Sequence, residues 1–269
     1  MGSSTGARLA TAPMEVVGRF ADASNATLLA RLLDRDVRPL AALREELGRE
    51  IGIEDLDPRD LVVYKPRDGE RPLWDYPEGT LHRREVAAAL VDRALGADLV
   101  PDTVLRDDAP HGPGSVQRFV PHDLEQHYFT VREPALTGQD DLLRGRLVML
   151  AAFDLVIDNA DRKGGHVLVE DGDGPVGSRL RAVDHGVSFN VEPKHRTVVW
   201  DLATSPRGAE VERALDGLLV ALDGELGEGL ARLLDAAEVA VTRERARALR
   251  AAGVLPEPEG PRPYPWPLL

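Results

Sequence analysis

The sequence predicts an α+β protein built as a strand-rich part followed by a helix-rich part. Three observations carry this. Short apolar runs bounded by Gly, Pro, Asn and Asp clusters crowd residues 14–120. Long stretches with apolar residues at helical spacing fill residues 140–252. No internal repeat interrupts the order, and segregated strands and helices define the α+β class. At 269 residues the chain is long enough for one large domain or two modest lobes, with room for a real core and for a ligand between the parts.

Met14–Phe20 reads as a strand containing Gly18, Ala21–Asn25 as a turn cluster, and Ala26–Leu33 as a second apolar run. Residues 38–50 have helical spacing, and Leu61–Tyr64 is a short buried strand ending at Lys65-Pro66. An irregular segment, RDGERPLWDYPEGT, closes on Thr80, whose hydroxyl suits the N-cap of a helix over Leu81–Leu95 that stops at Gly96. Val100–Leu105 and Ser115–Val120 are further strands flanking a Gly/Pro loop. In the second part, Asp140–Asp158 is a helix whose Leu147–Ile157 stretch is apolar enough to be buried. His166–Val169 and Leu180–Val183 are strands, and Glu210–Leu222, Glu225–Ala237 and Val239–Ala252 are helices. The tail, PEPEGPRPYPWPLL, is proline-rich and extended, either packed on the surface through Trp266 or disordered.

The net charge of −13 argues against a nucleic-acid partner, because a phosphate backbone requires a basic footprint. No apolar run reaches the ~18 residues of a membrane span, and the best candidate is cut at Asp154. With no charged-then-apolar leader pattern, a cytoplasmic protein without stable membrane insertion is expected. Zero cysteines exclude disulfides, thiol catalysis, S-acylation and Cys-ligated zinc. Only three of 33 basic residues are lysines, Lys65, Lys163 and Lys194, and asparagine also occurs three times, at 25, 159 and 190. Where arginine has replaced lysine nearly everywhere, a surviving lysine is either a chance survivor of the compositional bias or a place that needs a compact ammonium.

The densest chemistry lies in IDNADRKGGHVLVE, residues 157–170. Asp161 follows a buried helix and Asp184 follows a short strand in RAVDHG. Carboxylates at element ends suit proton or metal work. Lys163, two residues past Asp161, reaches an anion that Asp161 faces. Gly164-Gly165 lets backbone approach without a Cβ, and His166 opens the strand as a second candidate metal ligand. Asn159 braces the loop through its amide.

Asp161-x-Lys163-x-x-His166, followed by Asp184-x-Gly186, resembles a kinase catalytic loop and its metal-binding Asp-x-Gly. The wording DNADRKGGHVL and DHGVSFN, together with DASNATLL and VYKPRDGERPLWDYPEGTL, is similar to phosphatidylinositol 3-/4-kinase-like proteins over roughly residues 14–200. Type II phosphatidylinositol 4-kinases are the nearest known branch, and an actinobacterial branch matches more widely. The resemblance implies a two-lobed protein-kinase-like fold, with an N-lobe over 14–120 and a C-lobe over 121–269. It also implies ATP-dependent phosphoryl transfer with Mg²⁺ or Mn²⁺. Asp161 would orient or deprotonate the acceptor hydroxyl and Lys163 steady the transferring phosphoryl, while Asp184 and His166 hold the metal. Lys65 would position the phosphates, paired with Glu85. Residues 18–25, with Ser24 and Asn25, would cover the phosphates, and SVQRFV, with Gln117, Phe119 and Val120, would form the adenine hinge.

Two departures from the family pattern stand out. His166 occupies the place of a metal-ligating Asn, and Asp184-His185-Gly186 replaces Asp-Phe-Gly. Imidazole suits softer metals than Mg²⁺. Either Mn²⁺ is preferred, or His166 meets a phosphate or water, or a second metal is lost. The acceptor expected is a soluble hydroxyl compound, an inositol-like small molecule or a protein Ser/Thr. Lys194-His195-Arg196 is either a solvated turn or a contact for an anionic acceptor. AMP transfer on the same scaffold, and a nucleotide-binding pseudokinase, remain alternatives.

Overall fold

The computed structural model describes residues 4–21, 24–33, 37–258 and 260–269. The chain forms two compact units, Met1–Val86 with Pro101–Val120, and Ala87–Val100 with Pro121–Leu269.

The first unit contains α1 (Ser4–Thr11), β1 (Met14–Arg19), β2 (Leu28–Leu32), α2 (Leu40–Leu47), β3 (Leu61–Pro66), the opening of α3 (Leu81–Leu95), β4 (Thr103–Arg106) and β5 (Gly114–Arg118). Its five strands make one antiparallel sheet in the order β1-β2-β3-β5-β4. Strand side chains alternate between faces, and β2 shows what that demands of a central strand. Leu28, Ala30 and Leu32 join Val62, Tyr64 and Val116 in one cluster, while Leu29 joins Leu40, Leu56 and Leu61 in another. Burial on both faces is why this stretch reads as a nearly continuous apolar run rather than an alternating one. The bulge between Val16 and Gly18 in β1 accounts for the glycine inside that strand. Helix α1 was not anticipated from the sequence. The helix expected over residues 38–50 is shorter, because Gly48 takes the left-handed conformation (φ 61°) that closes α2.

The second unit contains β6 (His122–His127), α4 (Tyr128–Val131), α5 (Glu133–Leu136), α6 (Asp141–Ile157), β7 (Val167–Glu170), β8 (Leu180–Ala182), α7 (Gly208–Leu222), α8 (Glu225–Ala231) and α9 (Ala236–Ala252). Helix α6 is its axis. Asp140 caps it by accepting the Leu143 N–H at 2.8 Å, and every residue from Leu147 to Ile157 except Leu155 is buried. Each large aliphatic buried there contributes roughly 1.5–3 kcal/mol. β6, β7 and β8 form a separate three-stranded sheet. Val167 pairs with Ala182 across β7 and β8, so the loop entering β7 and the loop leaving β8 emerge side by side.

The break before the last helix lies at Asp235, not at Val239. Asp235 and Glu238 form a capping box there, with the Asp235 N–H donating to Glu238 Oε2 at 2.9 Å.

Candidate active site

In the first unit, Lys65 sits near the end of β3 opposite Ser115 of β5. Its ammonium is ion-paired with Glu85 on α3, whose side chain is only 4% exposed. The helix is held in place for this contact by an unexpected cap. The Glu70 carboxylate accepts the N–H groups of Leu81 and His82 at 3.0 and 2.8 Å, and contacts His82 Nδ1 at 2.6 Å. Thr80, expected as the cap, instead donates its hydroxyl to the Pro77 carbonyl at 2.7 Å. A full negative charge complements the helix N-terminus better than a hydroxyl does. The intervening loop folds back to deliver it.

Of the remaining residues expected around the nucleotide, Asn25, Gln117 and Phe119 are hydrogen-bonded within this unit. Asn25 Oδ1 accepts the Arg71 N–H at 2.8 Å, tying the turn before β2 to the 67–71 loop. Ser24 lies in the same turn, whereas residues 22 and 23 of the expected phosphate-covering loop lie outside the described residues. Gln117 is buried and donates to Thr103 Oγ1 at 2.8 Å. The N–H groups of Arg118 and Phe119 bond to the carbonyls of Asp102 and Leu61 at 2.9 and 3.1 Å. Those amides are therefore committed to the sheet, and Val120 is buried.

The second unit brings Asp161, Lys163, His166 and Asp184 together. Lys163 Nζ stands 3.2 Å from Asp161 Oδ2. His166 Nδ1 contacts the Asp161 carbonyl oxygen at 3.0 Å, and His166 Nε2 lies 3.3 Å from Asp184 Oδ2. A carbonyl only accepts, so Nδ1 carries the proton in that contact. In the neutral ring the Nε2 lone pair then faces the Asp184 carboxylate. Two electron-rich atoms at that separation call for a proton or a cation between them. The Asp184 backbone is left-handed (φ 62°), a conformation that Asp tolerates better than most residues. Burial pushes the Asp161 carboxyl up to about 6, against the pull of the Lys163 ammonium and with the Asp184 carboxylate adding to the rise. A raised carboxyl beside an amine and a second acid suits proton transfer near neutrality.

Why the loop holds this shape is decided beneath it. Asp158 ends α6 in the left-handed region (φ 53°), turning the chain out of the helix. Buried Asn159 donates to Asp154 Oδ1 at 3.0 Å and accepts the Asp161 N–H at 3.0 Å, as the sequence led us to expect of a brace. Arg162 turns inward. It donates to both oxygens of Asp154 at 2.8 and 2.9 Å, and to the carbonyls of Val183 and His166 at 2.7 and 3.2 Å. It thereby ties α6, the loop and the exit of β8 into one unit. Burial works to raise the Asp154 carboxyl, but the Arg162 guanidinium outweighs it and holds the group below its ordinary value. A Cβ on Gly164 would come within 2.6 Å of the Phe129 ring, so only glycine fits there. His185 is buried edge-on against Phe153, ring centroids 5.4 Å apart.

Asp154 and Arg162 escaped the sequence reading. The available signal was a lone carboxylate inside an otherwise apolar helix, which requires a buried partner. The 194–196 segment is also not a solvated turn. Lys194 N–H donates to the Asp158 carboxylate at 3.1 and 3.2 Å, and Arg196 exchanges backbone hydrogen bonds of 3.0 Å with Asn159 and Arg162. It works as a backbone splint for the loop.

Across 288 aligned residues the chain is 37% identical to "Protein Rv2133c" of Mycobacterium tuberculosis strain H37Rv, covering 96% of this chain and 93% of that one. The chain belongs to the family of protein Rv2133c. No family model matches it. Among solved structures, the Golgi casein kinase superposes with a TM-score of 0.53 at 16% identity, covering 93% of this chain and 78% of its own. The same kinase has been solved with Mn/ADP bound. A hydra Fam20 solved with sugar superposes with a TM-score of 0.54 at 14% identity over 91% of this chain and 86% of its own. The chain thus has a two-lobed kinase-like fold, an antiparallel-sheet lobe and a helical lobe. Among the described residues, no helix is long and apolar enough to cross a membrane.

Proposed function

We propose that this protein is an ATP-dependent phosphotransferase of the phosphatidylinositol 3-/4-kinase-like type, acting on a hydroxyl of a soluble acceptor, an inositol-like small molecule or a protein Ser/Thr. The observation that carries this reading is the convergence of Asp161, Lys163, His166 and Asp184 in one loop cluster. The Lys65–Glu85 ion pair in the first unit supports it, since the same pairing fixes the phosphate-holding lysine of kinases. The motifs DNADRKGGHVL and DHGVSFN carry the finer assignment to type, and solved relatives of this fold include a kinase bound to Mn/ADP. The first unit corresponds to the N-lobe and the second to the C-lobe.

In this reading, Lys65 holds the non-transferring phosphates and Glu85 fixes its ammonium. Asp161 orients the acceptor hydroxyl and takes its proton, a role its raised carboxyl suits near neutral pH. Lys163 faces the charge that develops on the moving phosphoryl group. His166 Nε2 and Asp184 Oδ2 are an N,O donor pair 3.3 Å apart, a donor set that fits Mn²⁺ better than the all-oxygen set Mg²⁺ prefers. The ion would neutralise phosphate charge and orient the nucleotide. Incubation with ATP, Mn²⁺ and polyol or Ser/Thr-peptide acceptors is the test. ADP release with phosphate added to the acceptor supports the reading. Pyrophosphate release would point to AMP transfer, and binding without turnover to a pseudokinase.

A further inference from the structure

The proline-rich tail has no place in the reaction just described, yet it reaches the loop that would carry it. Prolines occur at 261, 263, 265 and 267. Each fixes φ near −65° and lacks an N–H, so the segment is extended in advance and offers its carbonyls as acceptors without partners of its own. Two of those carbonyls are used. The Pro263 oxygen accepts the Trp200 indole N–H at 2.7 Å and the Thr197 N–H at 3.1 Å. The Leu268 oxygen accepts the Gly164 N–H at 2.7 Å, and a Cβ on Gly164 would lie 3.3 Å from Leu269. Thr197 in turn bridges to Arg162. One tail segment therefore grips the loop at Gly164 and, at Thr197, the chain that directly follows the splint.

Pro265 is the buried side chain of this segment, while Trp266 is 88% exposed. The tail therefore docks through backbone oxygens and Pro265, which is neither of the two alternatives the sequence offered, packing through Trp266 or disorder. Nor does it cover the chemistry. The Lys163 and Asp161 side chains remain 21% and 29% exposed, so the contact holds the loop from the side without occupying it.

We infer that residues 263–269 form a positioning strap that sets the Lys163–His166 backbone for phosphoryl transfer, an inference that rests on the function proposed above. Gly164 has no side chain with which to anchor itself, and its neighbours on either side are Lys163 and Gly165. The Leu268 carbonyl supplies the anchor that a side chain elsewhere would. Releasing it lets Lys163 and His166 drift relative to Asp161, and misplacements of about 1 Å at such groups cost up to ~10²-fold in rate.

The experiment compares the full chain with a chain ending at Pro265, with full-length Trp266→Ala, and with Trp200→Phe, which removes one donor to Pro263. Two readouts are taken, amide hydrogen exchange at Gly164 and steady-state ATP turnover. The shortened chain is expected to exchange Gly164 roughly fivefold faster or more, and to lose about tenfold or more in kcat with KM for ATP unchanged. Trp200→Phe should move both readouts less in the same direction, and Trp266→Ala should move neither. Unchanged exchange, unchanged kcat or a rise in kcat in the shortened chain would overturn the strap. If the full chain turns over no ATP, the proposed reaction fails by itself, and the exchange measurement still decides whether the strap holds the loop.

Discussion

Arg162 grips Asp154 through two hydrogen bonds of 2.8 and 2.9 Å, with neither side chain exposed to solvent. The same guanidinium reaches the carbonyls of Val183 and His166, so the pair holds the loop bearing Asp161 against the segment bearing Asp184. Removing one partner strands a buried charge, which typically costs 3–5 kcal/mol. Arg162→Met is therefore expected to lower stability by about that amount in urea denaturation. Arg162→Met combined with Asp154→Leu should cost less than the single change, because no charge is left behind. A double variant as unstable as the sum of the two singles would refute the pairing as the cause.

Asp161 sets the expected pH dependence of turnover. Its carboxyl, pushed up to about 6 by burial, accepts a proton only when ionised, so kcat/KM, which reports the free enzyme, should climb as pH rises through about 6 and level above 7. Lys163→Met removes the ammonium that holds this group down and should move the rising limb to higher pH. A profile flat from pH 5 to 8 in the wild-type protein would remove Asp161 as the base.

Asp92, on α3, gives a stability test independent of function. Burial pushes it from 3.8 to about 6, although it accepts the Leu99 N–H at 3.0 Å. A carboxyl raised on folding favours the folded state fully below its unfolded value, and this contribution is lost as pH rises through the folded one. The window is thus pH 4 to 6. Asp92 also accepts from the Val100 backbone, and Asp92→Asn keeps one acceptor oxygen for these amides while removing the titration. At pH 7 the variant should gain up to about 3 kcal/mol over wild type. The two should converge below pH 4 in paired denaturation curves.

In the proposed reading, His166 is expected to set metal preference. Replacing imidazole by an amide oxygen donor in His166→Asn restores the oxygen set that Mg²⁺ favours. The ratio of Mn²⁺- to Mg²⁺-supported nucleotide binding, followed by thermal shift, should fall by about tenfold or more. An unchanged ratio would place His166 away from the metal.

The sequence carried the local chemistry of the loop and one of its supports, Asn159, but not the others. Asp161, Lys163, His166 and Asp184 were legible because short spacing and a strand hairpin bring them together, whereas the pairing of Lys65 with Glu85 was reached only through the kinase resemblance. Glu70 was not legible as the cap of α3, because a loop of ten residues delivers it and the local hydroxyl at Thr80 satisfied the usual pattern equally well. Arg162 carried no role of its own in the sequence, standing between Asp161 and Lys163. Only the buried Asp154, two turns back on α6, gives it a reason to turn inward. The tail reads as extended from its prolines alone, yet its docking depends on carbonyl groups that every residue has, and no side-chain pattern records that.

The most direct measurement is ADP formation from ATP in Mn²⁺ by the wild-type protein and by Asp161→Asn and Asp184→Asn, each checked for folding by circular dichroism. The account expects turnover in the wild type and a loss of about 10²-fold or more in both folded variants. Wild-type turnover that persists in both would contradict it.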